Sequence, residues 1–427
     1  MVNGIDHGPE ARRLLKRLRS QVARALALFA LSLGGLASGT LLAASVSTGV
    51  TRTGIDVLQA ENFRSLLGKR VGLLTNHTGK ARDGSTTLDL LNAADSVRLV
   101  ALFSPEHGIR GEFDAKVPSS IDTKTGLVIH SLYGESRRPD PNTLDGLNVI
   151  VIDLQDVGAR FYTYMTTMGY VMEAAARRGL RVMVLDRPNP LGGVSVEGPD
   201  LQADERGFTA YFPMPIRHGL TLGELARLFD GERQDESLRL GGRLTIVAMQ
   251  RWSREFWFDD TGLTWVDPSP NMRSLLAASL YPGVATIEGS NVSVGRGTDR
   301  PFEFVGAPWI DGPRLAARLN AAAIPGLRAY PVNFTPRSSK FVGERCSGVA
   351  LVVTDRRALR PVGLGLELVV ALHDQHGDQF ELDAVSGLFG REVIEKIRRG
   401  DSSRAIEKSW AADAARWRNL RSRYLLY

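Results

Sequence analysis

Short apolar runs and longer amphipathic stretches alternate along the chain from about residue 54. The runs RVGLLTN (70–76), VRLVALF (97–103), LNVIVIDL (147–154), LRVMVLD (180–186) and LTIVAM (244–249) are apolar at nearly every position rather than at every second one. GLVIHSL (126–132) is a shorter sixth. A strand apolar on both faces is covered on both sides, the pattern of a parallel sheet between layers of helices. The stretches TTLDLLNAA (86–94), TYMTTMGYVMEAAARRG (163–179) and TLGELARLFDGE (221–232) carry helical spacing. The second closes on two arginines and Gly179, a C-terminal helix signal. Strands spaced by helices predict an α/β fold, with a Rossmann-like, mostly parallel sheet domain over residues 54–258.

The pattern changes after WVDPSPNMRS (265–274). A Pro- and Gly-rich stretch runs to LYPGVATIEGSNVSVGRGTDRPFEFVGAPW (280–309). A helix near 312–323, a β-like run GVALVVT (348–354) and helices near 364–376 and 404–422 follow. This part reads as a smaller α+β C-terminal domain over 259–427, and 427 residues are enough for two folded domains. Trp410 and Trp417, seven apart in the last helix, read as packing.

Composition alters this picture mainly at the start. With 43% hydrophobic and 23% charged residues the chain has the make-up of a globular protein. Its formal charge is +6. Residues 1–24 carry Arg12, Arg13, Lys16, Arg17, Arg19 and Arg24 against Asp6 and Glu10, so most of that excess is local, and the remainder is no footprint for nucleic acid. The basic start runs into ALALFALSLGGLASGTLLAAS (25–45). Residues 1–50 therefore read as a signal peptide or, if uncleaved, an N-terminal membrane anchor. The body is expected to be exported, periplasmic or extracellular. Cys346, the single cysteine, can form no intrachain disulfide.

Candidate chemistry collects where the predicted strands end. LLTNHTG supplies Asn76 and His77, and ALFSPEHG supplies Glu106 and His107. VIDLQDVGARFYTY supplies Asp153, Asp156, Arg160, Tyr162 and Tyr164, and VLDRPNP supplies Asp186 and Arg187. In a parallel sheet these are all carboxyl ends, the edge at which open α/β sheets bind ligands. Glu106 follows a proline and precedes a histidine and a glycine, so its carboxylate is expected to be fixed at the rim.

Several chemistries fail on the sequence. No Gly-x-Gly-x-x-Gly follows the first strand and no Gly-Lys-Ser/Thr loop occurs, so nucleotide binding lacks its phosphate cradle. GSNVSVG does not match a Gly-x-Ser-x-Gly nucleophile elbow. His77, His107, Asp153, Asp156 and His218 offer metal donors, but without a helical His pair or a Cys cluster. No cofactor is expected. Carboxylate acid/base chemistry remains, and glycoside cleavage requires a protonated carboxyl plus a second group. Glu106, Asp153, Asp156 and Glu288 are the acids available.

The motifs GIDVL, GLLTNHTG, FSPEHGIRG, DLQDVGARFYTY, DRPNPLGG, WVDPSPNM and EGSNVSVGRGTDRPFE, in that order over 54–427, resemble the NamZ family of exo-β-N-acetylmuramidases. The resemblance implies a cleft between the two domains. It also implies release of terminal N-acetylmuramic acid from the non-reducing end of peptidoglycan fragments, with the glutamate of Pro-Glu-His-Gly, here Glu106, in catalysis. His107 would tune Glu106 or bind substrate. Asp153, Asp156 or Glu288 would be the second acid, unless the sugar's own 2-acetamido group serves. The lactyl carboxylate of the sugar calls for cations, for which Arg160, Arg187, Arg296 and Arg300 are candidates. Asn76, His77, Tyr162, Tyr164, Asp186 and Asn291 complete the expected binding set. The expected partners are muropeptides or glycan chains, with the membrane reached only through the leader. A non-catalytic muropeptide-binding protein, or a metal-dependent hydrolase using His77, His107 and Asp156, are the alternatives.

Overall fold

The sheet of the first part is assembled in the order the apolar runs suggest. A computed structural model describes residues 50–110 and 118–427, so the leader lies outside the described residues. Strands β1 (Arg70–Thr75), β2 (Arg98–Ser104), β3 (Ser120–Ile121), β4 (Val128–Ser131), β5 (Val149–Asp153), β6 (Arg181–Leu185) and β7 (Leu244–Val247) form one sheet in the order β3-β4-β2-β1-β5-β6-β7. All neighbours pair in parallel except β3 with β4. Helices α1 (Gly54–Ala60), α2 (Thr87–Ala93), α3 (Tyr164–Arg177) and α4 (Leu222–Gly231) connect and cover them.

At the centre of the sheet both faces are dry, which is why β1, β5 and β6 lack alternation. Val149 and Val151 turn to one face, where Ile55, Leu58, Leu88 and Leu91 of α1 and α2 cover them. Ile150 and Ile152 turn to the other, against Met165, Met168, Val171 and Met172 of α3 and Leu225 and Phe229 of α4. That second core continues into the C-terminal part, through α5 (Leu275–Val284), β8 (Phe304–Ala307), α6 (Gly312–Ala321), β9 (Leu327–Phe334), β10 (Cys346–Val353) and α7 (Pro361–His376). Strands β8, β10 and β9 form an antiparallel sheet in that order. Helices α5 and α7 meet at Gly283 and Gly365. A Cβ on Gly283 would stand 1.7 Å from the Pro361 carbonyl oxygen, so no side chain fits there.

Some elements were hidden in the sequence for physical reasons. Helix α5 holds Pro282 and Gly283, inside the stretch read only as Pro- and Gly-rich, and its apolar burial overrides the poor helix preference of both residues. Strand β9 contains Pro331, which disqualifies a central strand, but β9 is an edge strand, where the missing N–H costs little. The predicted helix at 404–422 is two helices, α9 (Ser403–Ser409) and α10 (Ala411–Ser422), which follow α8 (Arg391–Arg398).

The end of the chain is threaded back onto the parallel sheet. Trp410 and Trp417 are buried, and Trp417 Nε1 donates to the His218 carbonyl at 2.9 Å. Arg421 donates to the carbonyls of His218, Gly219 and Val194. The Tyr427 hydroxyl donates to Asp186 Oδ2 at 2.8 Å and accepts from the Met249 amide at 2.7 Å, beyond β7.

Candidate active site

The strand order reverses between β1 and β5: the chain builds outward from β1 to β2 and β4, then returns to place β5 on the other side of β1. The loops after β1, β2 and β5 therefore open onto a switch point, where side chains from separate loops converge. Glu106 and His107 follow β2. His107 adopts a left-handed conformation (φ 71°), as does Gly108 (φ 72°), and the Gly108 amide closes the turn onto the Pro105 carbonyl at 3.1 Å. Glu106 is left half-buried, while His107 is buried.

The carboxyl is held from α3. Thr163 occupies the N-cap of that helix, but its hydroxyl does not cap it. It donates instead to Glu106 Oε2 at 2.5 Å. A cap of this kind stabilises a helix by about 1 kcal/mol, so the fold forgoes that stabilisation to fix one carboxylate oxygen. Tyr164, one residue on, is fully buried; its hydroxyl donates to the Pro268 carbonyl at 2.5 Å and accepts from Asn76 Nδ2 at 2.8 Å. Asn76 Oδ1 in turn accepts from the Thr78 amide and hydroxyl, so this chain of bonds locks the loop after β1 to α3. Tyr162 packs edge-on against Tyr164 at 4.8 Å and against Tyr281 of α5 at 5.9 Å. His77 Nε2 lies 2.6 Å from the Asp267 carbonyl, and burial holds its pKa below the usual value against the pull of that carbonyl.

Of the acids weighed as the second group, two are already paired. Asp153 is fully buried beneath the loops, with Arg187 Nε at 2.5 Å from Oδ1, Arg187 Nη2 at 2.8 Å from Oδ2 and the Thr87 hydroxyl on Oδ2. Arg187 also reaches the Lys80 carbonyl at 2.9 Å. Glu288 is paired with Arg296. Asp156 has no cationic partner among the described residues. Its Oδ1 accepts from the Gly158 amide at 2.7 Å, its Oδ2 is buried without a partner, and burial pushes its pKa up to about 7.

That shift sets a pH dependence. Asp156 binds its proton more tightly folded than unfolded, so its contribution is fully present below about pH 4 and is lost as pH rises through about 7. Asp186 is pushed up to about 7 by burial as well, so chemical denaturation across this range is expected to show a loss of which Asp156→Asn removes about 4 kcal/mol, since Asn keeps the acceptor for Gly158 and cannot ionise. An unchanged slope in the variant would assign the dependence to other groups.

Several other residues expected at the site are bonded into the scaffold, and Arg300 stands apart on the surface. Arg160, 1% exposed, gives its guanidinium to the carbonyls of Pro199, Met214 and Leu388, and burial lowers its pKa to about 10. Asp186 accepts from the Thr221 hydroxyl, the Gly223 and Arg187 amides and Tyr427, at the start of α4. Asn291 bonds the Gln379 carbonyl and the Glu381 amide. Arg300 is exposed beside Glu303. His218 is fully buried far along the chain, accepting from the Leu220 amide, with burial lowering its pKa to about 3. Among the described residues no three His, Cys, Asp or Glu side chains gather as a metal site.

Two contributors were not read from the sequence. Thr163 looked like an ordinary helix start. Tyr281 lay in the stretch read only as Pro- and Gly-rich, yet it is half-buried against Tyr162 and its phenol lies in the fields of Glu288, Glu106, Arg296 and Asp156.

The model of the N-terminal domain of the exo-beta-N-acetylmuramidase NamZ matches residues 71–276, and that of its C-terminal domain residues 279–427. The chain belongs to the NamZ family. Peptidoglycan beta-N-acetylmuramidase NamZ of Bacillus subtilis (strain 168) is 41% identical over 415 residues, covering 94% of this chain and 99% of that protein. Two crystal structures of DUF1343-family proteins from Bacteroides fragilis NCTC 9343 share the NamZ-family fold seen here. One is 34% identical with a TM-score of 0.81, covering 88% of this chain and 99% of the other. The second is 31% identical with a TM-score of 0.71, covering 89% and 99%. This family membership makes the chain a glycoside hydrolase.

Proposed function

We propose that the protein releases terminal β-linked N-acetylmuramic acid from the non-reducing end of peptidoglycan fragments, with Glu106 as general acid and base. In this reading the Glu106 carboxyl gives its proton to the departing glycosidic oxygen as the C–O bond breaks, then takes one from the water that completes hydrolysis. The observation that carries it is the position of Glu106: a half-buried carboxyl at the switch point, one oxygen fixed by Thr163 and no cation paired with it among the described residues. That the Bacillus subtilis relative is a peptidoglycan beta-N-acetylmuramidase supports the substrate class.

Asp156 gives a second reading as proton donor, since its pKa of about 7 suits an acid at neutral pH. Its Oδ2 is sealed from solvent, however, whereas Glu106 is only half-buried. Asp156 is better suited to add no second negative charge below pH 7. The test is turnover by the full-length protein of a chromogenic β-N-acetylmuramide beside the matching N-acetylglucosaminide. Release from the muramide is expected, and turnover of neither sugar sinks the reading.

The same proposal puts the protein outside the inner membrane, on the strength of the basic and apolar leader and of where peptidoglycan lies. Cell fractionation that left the protein in the cytosol would contradict it.

A further inference from the structure

The proposed substrate carries a carboxylate that N-acetylglucosamine lacks, so discrimination between the sugars needs cations near Glu106. Arg160 and Arg187 are committed to carbonyls and to Asp153. The structure offers another cation that the sequence motifs do not reveal. Lys340, on the loop between β9 and β10, is half-buried, and its ammonium donates to the backbone carbonyls of Glu288 and Ser290. It forms no ion pair among the described residues. An ammonium has three donors, so two carbonyls leave one unused.

The backbone around Lys340 is unusual. Ser339 (φ 69°) and Phe341 (φ 57°) are both left-handed, although neither is glycine. Such conformations cost of order 1–3 kcal/mol each and persist where the surroundings impose them. Here the imposing contact is with the SVGRGT loop: the Arg337 amide donates to the Gly297 carbonyl at 2.8 Å, and a Cβ on Gly297 would stand 2.1 Å from the Ser338 carbonyl oxygen. The two loops are pressed together, which sets Lys340 beside the Glu288–Arg296 pair.

The link to Glu106 runs through Tyr281, which packs edge-on against Tyr162 at 5.9 Å, next to the Thr163 that bonds Glu106, and whose phenol lies within the fields of Glu288, Glu106 and Arg296. Glu288 acts on the Lys340 ammonium more strongly than the exposed Glu381 does, and Arg296 opposes both. With Glu288 balanced by Arg296, Lys340 is the positive charge left over in this group of three.

We infer that Lys340, beside Arg296, is a specificity-determining residue that binds the lactyl carboxylate of the terminal muramic sugar. The inference rests on the function proposed above and names the group that separates this substrate from its glucosamine counterpart. No covalent step is involved. Lys340 supplies a charge-assisted hydrogen bond, and a bond of that class is worth about 10- to 100-fold in affinity.

The test uses the full-length protein, its Lys340→Met and Lys340→Arg variants, and three chromogenic substrates: the β-N-acetylmuramide, its lactyl methyl ester and the β-N-acetylglucosaminide. Lys340→Met is expected to lower kcat/KM on the muramide by about 10- to 100-fold, mainly through KM, and to leave the two uncharged substrates within about 3-fold. Lys340→Arg is expected to recover part of the loss. Calorimetric titration with free N-acetylmuramic acid is expected to weaken in parallel in the Met variant, which gives a readout that does not depend on turnover. Equal losses on all three substrates would mark Lys340 as purely structural, and no loss on the muramide would remove it from recognition. If Lys340→Met does not fold, Lys340→Arg and the wild-type preference for the free acid over its ester decide the matter. Failure of the wild-type protein to cleave the muramide while still binding N-acetylmuramic acid through Lys340 would overturn the hydrolytic reading and leave this inference standing.

Discussion

Glu106→Gln is expected to reduce hydrolysis of the muramide by about 10²- to 10⁴-fold, the range supplied by a positioned acid or base. Glutamine keeps an oxygen to accept the Thr163 hydrogen bond, so the turn at 105–108 and the helix start at 163 should be undisturbed. What is lost is the proton. The loss should accordingly depend on the leaving group: large for a natural disaccharide, whose departing alkoxide needs protonation, and smaller for an aryl leaving group that departs without help. Steady-state rates on both substrates, with a thermal melt to confirm the fold, check this. Equal rates in variant and wild type would remove Glu106 from the chemistry and turn attention to Asp156.

Arg187→Met should be among the most destabilising changes available in the first part of the molecule. Asp153 is fully buried, and Arg187 contacts both of its oxygens while also holding the Lys80 carbonyl. Removing the cation leaves a buried carboxylate with only the Thr87 hydroxyl, and breaking such a pair costs about 3–5 kcal/mol. Because the pair lies directly under the loops after β1 and β5, activity should fall along with stability. The double variant Asp153→Asn with Arg187→Met removes both charges and is expected to recover most of the lost stability. Urea unfolding of the wild type and the two variants measures this, and a single variant as stable as the wild type would show that the pair is dispensable.

How much of this was legible in the chain varies with what each residue reports. The six apolar runs match strands within about two residues at each end, most clearly at the central β1, β5 and β6, where burial on both faces forces nearly uninterrupted Val, Ile and Leu. The place of Glu106 in a tight turn after β2 was legible because proline and glycine bracket it. Asp153, Arg187 and Asp186 were legible only as polar residues at strand ends, and that position suits a catalytic group and a loop-pinning group equally well. Only the partner distinguishes them, and the partners lie dozens of residues away: Arg187 is 34 residues from Asp153, and Tyr427 is 241 from Asp186. Thr163 was missed because a threonine before a helix predicts a cap, and nothing local says that its hydroxyl turns away. The position of Lys340 was not legible, because its loop carries no motif and is held by a segment about 40 residues earlier in the chain.

The return of Tyr427 to Asp186 and the Met249 amide has a consequence for the order in which the molecule is made. The far edge of the parallel sheet acquires its last buried hydrogen bonds only from residues 417–427, so contacts separated by roughly half the chain must close before that edge is dry. A nascent chain that has folded everything up to α7 still exposes the carbonyls of Val194, His218 and Gly219, which Arg421 and Trp417 later cover. Completion of the fold is therefore a closing step rather than a sequential addition of parts.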